Sequence, residues 1–316
     1  MYQKFFGLRD SPFNVNPDPR YLYLTKQTQE ALAGLTYGIQ NRKGFILLTG
    51  EVGTGKTTLL NQLLDWLRAQ RLSTAFIFNS RLEVDQLFDF IVADFEIPCE
   101  SREKSQVLLK LNAWLLDRYR AGSTAVLIID EAQNLSTDVL EEIRLLTNLE
   151  TTTQKLLQIV LSGQPELEEK LKLPQLRQLR QRITMRCRTA PLTLDETFRY
   201  VAERLRIGGA NGEPIFSKEA VQSIHNYSRG IPRVVNSLCE HSLIDAYVDS
   251  VRPVPAQIVE EVAREFQLDE IAPIAPAGSV SKAQQSASTQ AILQDLDTIL
   301  QRLRQSTTVP ARERKP

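Results

Sequence analysis

Residues 45–57 read FILLTGEVGTGKT, and this stretch decides the fold. Its first five residues form an apolar run of strand length, and helically spaced apolar residues follow from Lys56 onward. Between them lies the pattern G-x-x-x-x-G-K-[ST], which in this context predicts a loop whose backbone N–H groups surround phosphate oxygens. We expect Lys56 to reach the β- and γ-phosphates of ATP and the Thr57 hydroxyl to coordinate Mg²⁺. The predicted nucleotide-binding residues of this loop are Gly50, Glu51, Val52, Gly53, Thr54, Gly55, Lys56, Thr57 and Thr58.

A second apolar strand, residues 125–129, ends in two carboxylates, Asp130 and Glu131. Ligands of open α/β sheets bind at the carboxyl ends of the strands, so these side chains are expected beside the phosphates. Asp130 is predicted to hold Mg²⁺, directly or through water, and Glu131 to polarise the water that attacks the γ-phosphate. A glutamate at this position favours an ATPase over a small-molecule kinase, because a kinase must avoid hydrolysing its ATP.

The next predicted strand, residues 156–162, leads into Ser162-Gly163-Gln164. Either Ser162 or Gln164 could place a polar side chain between the carboxylates and the γ-phosphate. The alternative is a plain turn, since Gly163 and Pro165 are both residues that favour turns.

Five arginines lie between residues 177 and 188, on a predicted helix followed by a strand. Arginine at the rim of a sheet can clamp phosphate charge that develops in a neighbouring subunit, which makes the cluster a candidate arginine finger. A solvated basic face or an anion-binding patch is the alternative. Further along, the sequence GIPR at residues 230–233 opens a predicted helix with proline in its first turn. Arg233 is expected to point toward the γ-phosphate, with a structural salt bridge as its alternative role.

Strands and helices alternate from residue 45 onward, which is typical of a parallel sheet covered by helices on both faces. From about residue 191 the pattern becomes purely helical, with four predicted helices. The fold class is therefore α/β, a P-loop NTPase sheet flanked by helices with a small all-helical lid domain. The predicted divisions are a nucleotide-binding domain (1–190), a helical lid (191–267), a flexible linker rich in Ala, Pro and Ser (268–290), a short amphipathic helix (291–306) and a disordered tail (307–316).

The composition limits the other functions that this chain could serve. Lys plus Arg and Asp plus Glu number 38 each, and this balance argues against nucleic acid as the main partner. The cysteines at 99, 187 and 239 have no metal-binding spacing, and His225 and His241 stand too far apart for a metal site. The amino-terminal sequence lacks the pattern of a signal peptide, and the apolar runs are too short to span a membrane. We therefore expect a cytoplasmic protein.

Several independent motifs in this order resemble those of AAA+ ATPases. More closely, PDPRYLY at residues 17–23, GEVGTGKTT, IIDEAQNL, LSGQPEL, LRQLRQRI and GIPRVVNSL are similar to the ExeA/GspA family, the general secretion pathway protein A type, over roughly residues 1 to 266. The resemblance implies that residues 18–23 lie near the adenine and that Ser162 or Gln164 is the sensor 1 residue. It also implies that Arg182 is the arginine finger, with Arg180 as the second choice, and that Arg233 is sensor 2.

The function predicted from these features is ATP hydrolysis by an AAA+ oligomer that energises or regulates an envelope secretion or polysaccharide-export machine. The expected partners are other copies of the chain, joined head to tail, and an inner-membrane or envelope export component bound through residues 291–306. A location at the inner membrane would then depend on that partner. Two other classes stay open, a DNA-associated AAA+ regulator and a slow nucleotide switch. The absence of a recognisable helix-turn-helix counts against the first.

Overall fold

A computed structural model describes residues 1–14, 19–21, 23–78, 81–100 and 103–268. The strands are β1 (Phe45–Thr49), β2 (Ser73–Ile77), β3 (Ala125–Ile129), β4 (Leu157–Gly163) and β5 (Met185–Arg188). The helices are α1 (Tyr2–Phe6), α2 (Lys26–Gln40), α3 (Lys56–Ala69), α4 (Val84–Asp94), α5 (Lys104–Arg120), α6 (Thr137–Leu146), α7 (Pro165–Lys170), α8 (Arg177–Arg182), α9 (Leu194–Ile207), α10 (Lys218–Ser228), α11 (Pro232–Val248) and α12 (Ala256–Glu265). Short 3-10 turns occupy Pro19–Tyr21, Ala132–Asn134 and Pro174–Leu176.

The strands form one parallel sheet in the order β2-β3-β4-β1-β5. Every residue of β1, β3 and β4 is buried, because helices cover both faces of a sheet whose parallel strands need helical crossovers. This arrangement confirms the predicted fold class. It also brings the carboxyl ends of β1, β3 and β4 side by side, which is where the predicted nucleotide-binding motifs of the sequence begin.

Helix α2 packs very closely on the sheet through two glycines one turn apart. A Cβ atom added at Gly38 would lie 2.6 Å from Cδ1 of Ile46 and 2.9 Å from Sδ of Met185, and one added at Gly34 would lie 2.9 Å from Sγ of Cys187. The missing side chains thus allow the helix backbone to approach β1 and β5. The tight fit anchors the start of the nucleotide-binding domain to the edge of the sheet.

Helices α9 to α12 form a separate hydrophobic cluster, which we call the lid. Residues 1–13, here the amino-terminal arm, pack into this cluster and not onto the sheet, with Tyr2, Phe6, Leu8 and Phe13 buried among the lid helices. The predicted division of 1–190 groups the arm with the sheet, whereas its apolar side chains pack with the lid helices, and the division itself stays a prediction. The apolar side chains of residues 1–13 carry no sequence signal that says which of the two cores will bury them.

The amino-terminal arm is held on the lid by polar contacts as well as by its apolar side chains. The Tyr2 hydroxyl donates to Oε1 of Glu240 on α11 at 2.7 Å, and the Arg9 N–H donates to the Gly208 carbonyl at 2.8 Å. The arm thus belongs to the lid in space, although it precedes the sheet in sequence.

The connection from the sheet to the lid runs beside the phosphate-binding loop. The Thr189 N–H donates to the Thr49 carbonyl at 2.9 Å, and the hydroxyls of Thr189 and Thr54 lie 2.7 Å apart. A Cβ atom at Gly50 would lie 2.0 Å from Oγ1 of Thr189, so only glycine fits there. The loop and the connection are therefore packed as one unit.

The predicted linker, amphipathic helix and tail, apart from Leu268, lie outside the described residues. In the described part of the chain, no helix combines the length and the apolar character that crossing a membrane requires.

Candidate nucleotide-binding site

The loop between β1 and α3 has the conformation that its glycines predict. Gly53 and Gly55 adopt φ values of 79° and 93°, in the left-handed region that side chains rarely occupy. Gly55 is the N-cap of α3, so the helix begins with free backbone N–H groups facing the space above the loop. This helix N-terminus, with its partial positive charge, is suited to phosphate oxygens.

Lys56 is 5% exposed, and its ammonium group is held inside the loop. Nζ donates to the carbonyl of Gly50 at 2.8 Å and to that of Glu51 at 2.9 Å. Burial lowers the pKa of Lys56 from its ordinary value, while the nearby carboxylates of Glu131 and Asp130 act in the opposite direction. The ammonium group is thus already in position, and a phosphate oxygen can replace the two carbonyls as its hydrogen-bond acceptor.

Asp130 lies at the centre of a small network of oxygen atoms at the carboxyl end of β3. Its Oδ2 accepts from the Thr57 hydroxyl at 3.2 Å, and its Oδ1 accepts from the Ser162 hydroxyl at 2.7 Å. A carboxylate beside a hydroxyl suits Mg²⁺, which is typically bound by one or two carboxylates together with substrate phosphates. Thr57 and Asp130 would therefore hold the ion.

Ser162 and Gln164, which the sequence left as alternatives, lie against different carboxylates. Ser162 is fully buried and contacts Asp130, whereas Nε2 of Gln164 donates to Oε2 of Glu131 at 3.1 Å. The segment after Gly163 is not a plain turn, because Gln164 is the N-cap of α7 and Pro165 stands in its first turn. Of the two residues, Gln164 is the one whose side chain touches the predicted catalytic group.

Glu131 faces the cleft and is held by two amides. Its backbone has φ 52°, and its Oε2 accepts from Nε2 of Gln133 at 2.5 Å in addition to the bond from Gln164. The side-chain oxygen of Gln133 in turn accepts from the Gln164 N–H at 3.2 Å. Gln133 was missed by sequence reasoning, although its position two residues after Glu131 was a usable signal. The pair of amides fixes the direction of the carboxylate.

A cleft of about 470 Å³ opens above these groups, between the phosphate-binding loop and the lid. This volume lies in the range of small-molecule sites. Its lining includes Lys56, Thr57 and Glu131 from the floor, and Tyr21 and Tyr23 from the opposite end. Of the segment 18–23 expected near the adenine, residues 18 and 22 lie outside the described residues.

The lid contributes Arg233 to the same cleft at the start of α11. The Arg233 N–H donates to the Gly53 carbonyl at 3.3 Å, and a Cβ atom at Gly53 would lie 2.9 Å from Cβ of Arg233. Within the described residues, the exposed guanidinium forms no ion pair, so the alternative of a structural salt bridge has no support there. The lid also supplies Tyr200, Arg204 and Asn236, three residues that the sequence analysis did not single out.

Arg182 lies far from this cleft. Its Nη1 donates to Oγ1 of Thr147 at 2.5 Å, and two residues later the Thr184 N–H donates to the carbonyl of Phe45, the first residue of β1. The phosphate-binding loop follows the opposite, carboxyl end of β1. A parallel strand of five residues is about 15 Å long, so this length separates the loop from the Arg182 end of the strand. Arg182 therefore cannot act on the nucleotide of its own subunit. Arg180, on the same helix, is exposed.

The cysteines and histidines form no metal centre in the described ranges, where no cluster of three potential ligands occurs. Cys187 and Cys239 are buried, and burial raises the pKa of both thiols. Nδ1 of His225 lies 2.9 Å from the Thr197 hydroxyl. Cys187 and Cys239 thus contribute to packing, and His225 is held by a contact within the lid.

Comparison with known proteins agrees with the fold and the loop. The family described as AAA domain matches residues 39–171. General secretion pathway protein A of Aeromonas hydrophila is 46% identical over 248 residues, which cover 78% of this chain and 45% of that protein. The chain thus spans less than half the length of this curated relative.

Two solved structures have the same fold at low sequence identity. Cdc6p from Pyrobaculum aerophilum superposes with a TM-score of 0.62 at 20% identity, covering 82% of this chain and 71% of that one. The ORC2 protein of Aeropyrum pernix, solved as ADPNP and ADP complexes, gives a TM-score of 0.58 at 16% identity, covering 84% and 75%. At such identities the likeness concerns the fold alone.

Proposed function

Because this chain belongs to the family of general secretion pathway protein A over its 248 aligned residues, and because its residues 39–171 match the AAA domain, we propose that it binds and hydrolyses Mg-ATP. One observation carries the proposal. Lys56, Thr57 and Glu131, which come from two separate motifs, line the floor of a single cleft, and Asp130 lies against Thr57 directly beneath it. The ORC2 protein of Aeropyrum pernix, which shares the fold, was solved as ADPNP and ADP complexes.

In this proposal each side chain of the floor has a distinct task. The loop N–H groups and Lys56 bind the β- and γ-phosphates, and Arg233 approaches them from the lid. Mg²⁺, held by Thr57 and Asp130, would supply positive charge to the phosphate oxygens. Glu131, aimed by Gln133 and Gln164, accepts a proton from the attacking water.

The proposal is tested by titrating the full chain with a fluorescent ATP analogue, with and without Mg²⁺, and by following phosphate release from ATP. Saturable binding and Mg-dependent release are expected. If the analogue does not bind at any Mg²⁺ concentration, the proposed function is wrong. Binding without release would leave the slow nucleotide switch as the function.

We further propose that hydrolysis requires a head-to-tail oligomer in which Arg182 acts on the ATP of the adjacent subunit. Arg182 lies beside the amino end of β1, opposite the end that carries the cleft. This position supports the proposal, because a head-to-tail contact brings that side of one subunit to the cleft of the next. The arginine would then stabilise charge on the transferring phosphate.

Mixing two inactive variants is expected to restore ATPase activity. Arg182→Ala lacks the finger and Glu131→Gln lacks the base, so each alone should bind ATP and hydrolyse it poorly. In a mixture, an Arg182→Ala subunit supplies an intact Glu131 to its own site, and a Glu131→Gln neighbour supplies an intact Arg182 to the same site. About a quarter of the junctions in an equal mixture are of this kind, so recovery should be partial. The measurement is ATP turnover against mixing ratio.

The mixing experiment includes Arg180→Ala in parallel, because Arg180 is the exposed arginine of the same helix. Subunit exchange is verified with differently labelled proteins. If exchange occurs and no ratio exceeds the summed activities of the separate variants, neither arginine tested acts across a subunit junction.

We propose that the cellular role is to energise or regulate assembly of an envelope secretion or polysaccharide-export machine from the cytoplasmic side. The name of the 46% identical relative supports secretion, although the chain aligns with only 45% of that protein. Residues 291–306, with apolar residues at 4-3-4 spacing, are the proposed contact with a membrane-bound export component.

Removing residues 269–316 is expected to leave ATP affinity unchanged and to abolish association with this component. The reason is that every residue lining the described cleft lies between positions 14 and 236. Removal of residues 307–316 alone is the control and should preserve the association. Co-purification from the native cells measures the association, and loss of ATP affinity in the folded truncated protein would contradict the assignment.

A further inference from the structure

Arg204 on α9 is a buried cation at the lid side of the cleft. It is 7% exposed, its Nε donates to the Pro12 carbonyl at 2.6 Å, and its Nη1 donates to the Tyr200 hydroxyl at 2.7 Å. The rings of Tyr21 and Tyr200 lie 4.9 and 5.3 Å from the guanidinium carbon. Among the described residues it has no carboxylate partner. These contacts hold the guanidinium in one orientation.

The hydrogen bond between Arg204 and Tyr200 has only one possible direction. A guanidinium has donors and no acceptor, so the Tyr200 oxygen must accept. The Tyr200 hydroxyl therefore uses its single proton to donate a hydrogen bond to Oδ1 of Asn236, at 2.8 Å. Burial raises the pKa of Tyr200, against the influence of Arg204 and Asn236, so the hydroxyl keeps that proton at neutral pH.

The direction of this relay fixes which end of the Asn236 amide faces the nucleotide. Because Oδ1 receives the tyrosine proton, the remaining polar atom is Nδ2, which can only donate. Asn236 lines the cleft, and within the described part of the chain no side chain or carbonyl accepts from Nδ2. The lid wall thus presents a hydrogen-bond donor whose orientation is fixed by Tyr200 and Arg204.

The position of Asn236 along α11 indicates which part of a nucleotide it meets. Asn236 follows Arg233 by three residues, so the two share a helix face and are separated by about 4.5 Å along the axis. Arg233 is anchored at Gly53 of the phosphate-binding loop, and Tyr200, beside Asn236, contacts the ring of Tyr23 at 5.7 Å. Asn236 therefore stands between the phosphate end and the aromatic end of the cleft.

We propose that Nδ2 of Asn236 donates a hydrogen bond to the nucleoside half of the bound nucleotide, with Tyr200 and Arg204 as positioning residues. The acceptor is a ring nitrogen of the base or a hydroxyl oxygen of the ribose. This inference rests on the proposed function, since it presumes a nucleotide in the cleft. It adds a specificity contact from the lid to the phosphate contacts of the floor.

The decisive test compares ATP with 1-deaza, 3-deaza, 7-deaza, 2′-deoxy and 3′-deoxy ATP, which each lack one acceptor. Equilibrium competition against a fluorescent nucleotide gives the affinities, for the wild type and for Asn236→Ala. In the wild type, one analogue should bind about three- to tenfold more weakly than ATP, the size of one hydrogen bond. In Asn236→Ala the penalty of that analogue should vanish, while any penalties of the others remain. The deaza and deoxy members distinguish a base acceptor from a ribose acceptor.

Tyr200→Phe tests the positioning role. It leaves Asn236 in place but removes the proton that fixes the amide, so the same analogue penalty should shrink without disappearing. Combined with Asn236→Ala, it should have no further effect on that penalty, because the two residues act through one contact. A Tyr200 that only packs the lid would lower the melting temperature and leave the penalty unchanged.

The matched control is Asn226→Ala, which removes an exposed asparagine of the lid that accepts from Gln222 and does not line the cleft. Its ATP affinity should equal that of the wild type. If Asn236→Ala does not fold, Asn236→Ser removes the amide donor with a smaller change in volume. Equal analogue penalties in the wild type and in the folded Asn236 variant would overturn the inference alone. A wild type that binds no nucleotide would overturn the proposed function as well.

Discussion

Replacing Glu131 by glutamine is expected to lower ATP turnover by about two to four orders of magnitude while leaving ATP affinity nearly unchanged. Glutamine has the shape of glutamate and can keep its contacts with Gln133 and Gln164, but its amide cannot accept a proton from water. The phosphate contacts of Lys56 and the loop are not altered. Phosphate release and equilibrium binding of a fluorescent ATP analogue measure the two quantities.

Glu219→Gln is the control, because it makes the same change at an exposed position of α10 outside the cleft. It should hydrolyse ATP at the wild-type rate. Wild-type turnover in Glu131→Gln would show that Glu131 is not the base. Loss of both binding and turnover would instead assign it a role in holding the nucleotide.

Replacing Lys56 by alanine is expected to weaken ATP binding by at least about a hundredfold. Lys56 supplies charge-assisted hydrogen bonds to two phosphates, each contributing about 1.5–3 kcal/mol, and 1.4 kcal/mol corresponds to a factor of ten. Its ammonium also holds the carbonyls of Gly50 and Glu51, so the empty loop should lose part of its order. Titration with the fluorescent analogue measures the loss.

Lys110→Ala is the matched control, since it removes the same charge from an exposed position of α5 and lies outside the cleft. Melting temperatures of all variants establish that they are folded. A folded Lys56→Ala protein with unchanged affinity would mean that the ammonium does not contact the phosphates.

The sheet and the floor of the site could be predicted because both follow from local patterns. The apolar runs of β1 and β3 require burial, and a phosphate-binding loop followed by a helix has few other interpretations. Parallel strands then bring Thr57 and Asp130 together without further information.

The lid side of the site could not be predicted, because it depends on contacts distant in sequence. Arg204 contacts Pro12, 192 residues earlier, and only this contact fixes the arginine that orients Asn236 through Tyr200. The choice between Ser162 and Gln164 likewise depended on side-chain direction. Strand alternation would place residues 162 and 164, which are two apart, on the same face, so it does not predict that one meets Asp130 and the other Glu131.

The burial of the amino-terminal arm in the lid has a mechanical consequence. The chain passes between the lid and the sheet twice, once between Tyr23 and α2 and once between Thr189 and Leu192. Two bodies that are connected at two points rotate most easily about the line through those points, which acts as a hinge axis. Tyr23 and Leu192 both line the cleft, so this axis runs along its wall. A small swing about it would change the distance from Arg233 and Asn236 to Lys56, and it would stretch the hydrogen bond from the Arg233 N–H to the Gly53 carbonyl of the phosphate-binding loop.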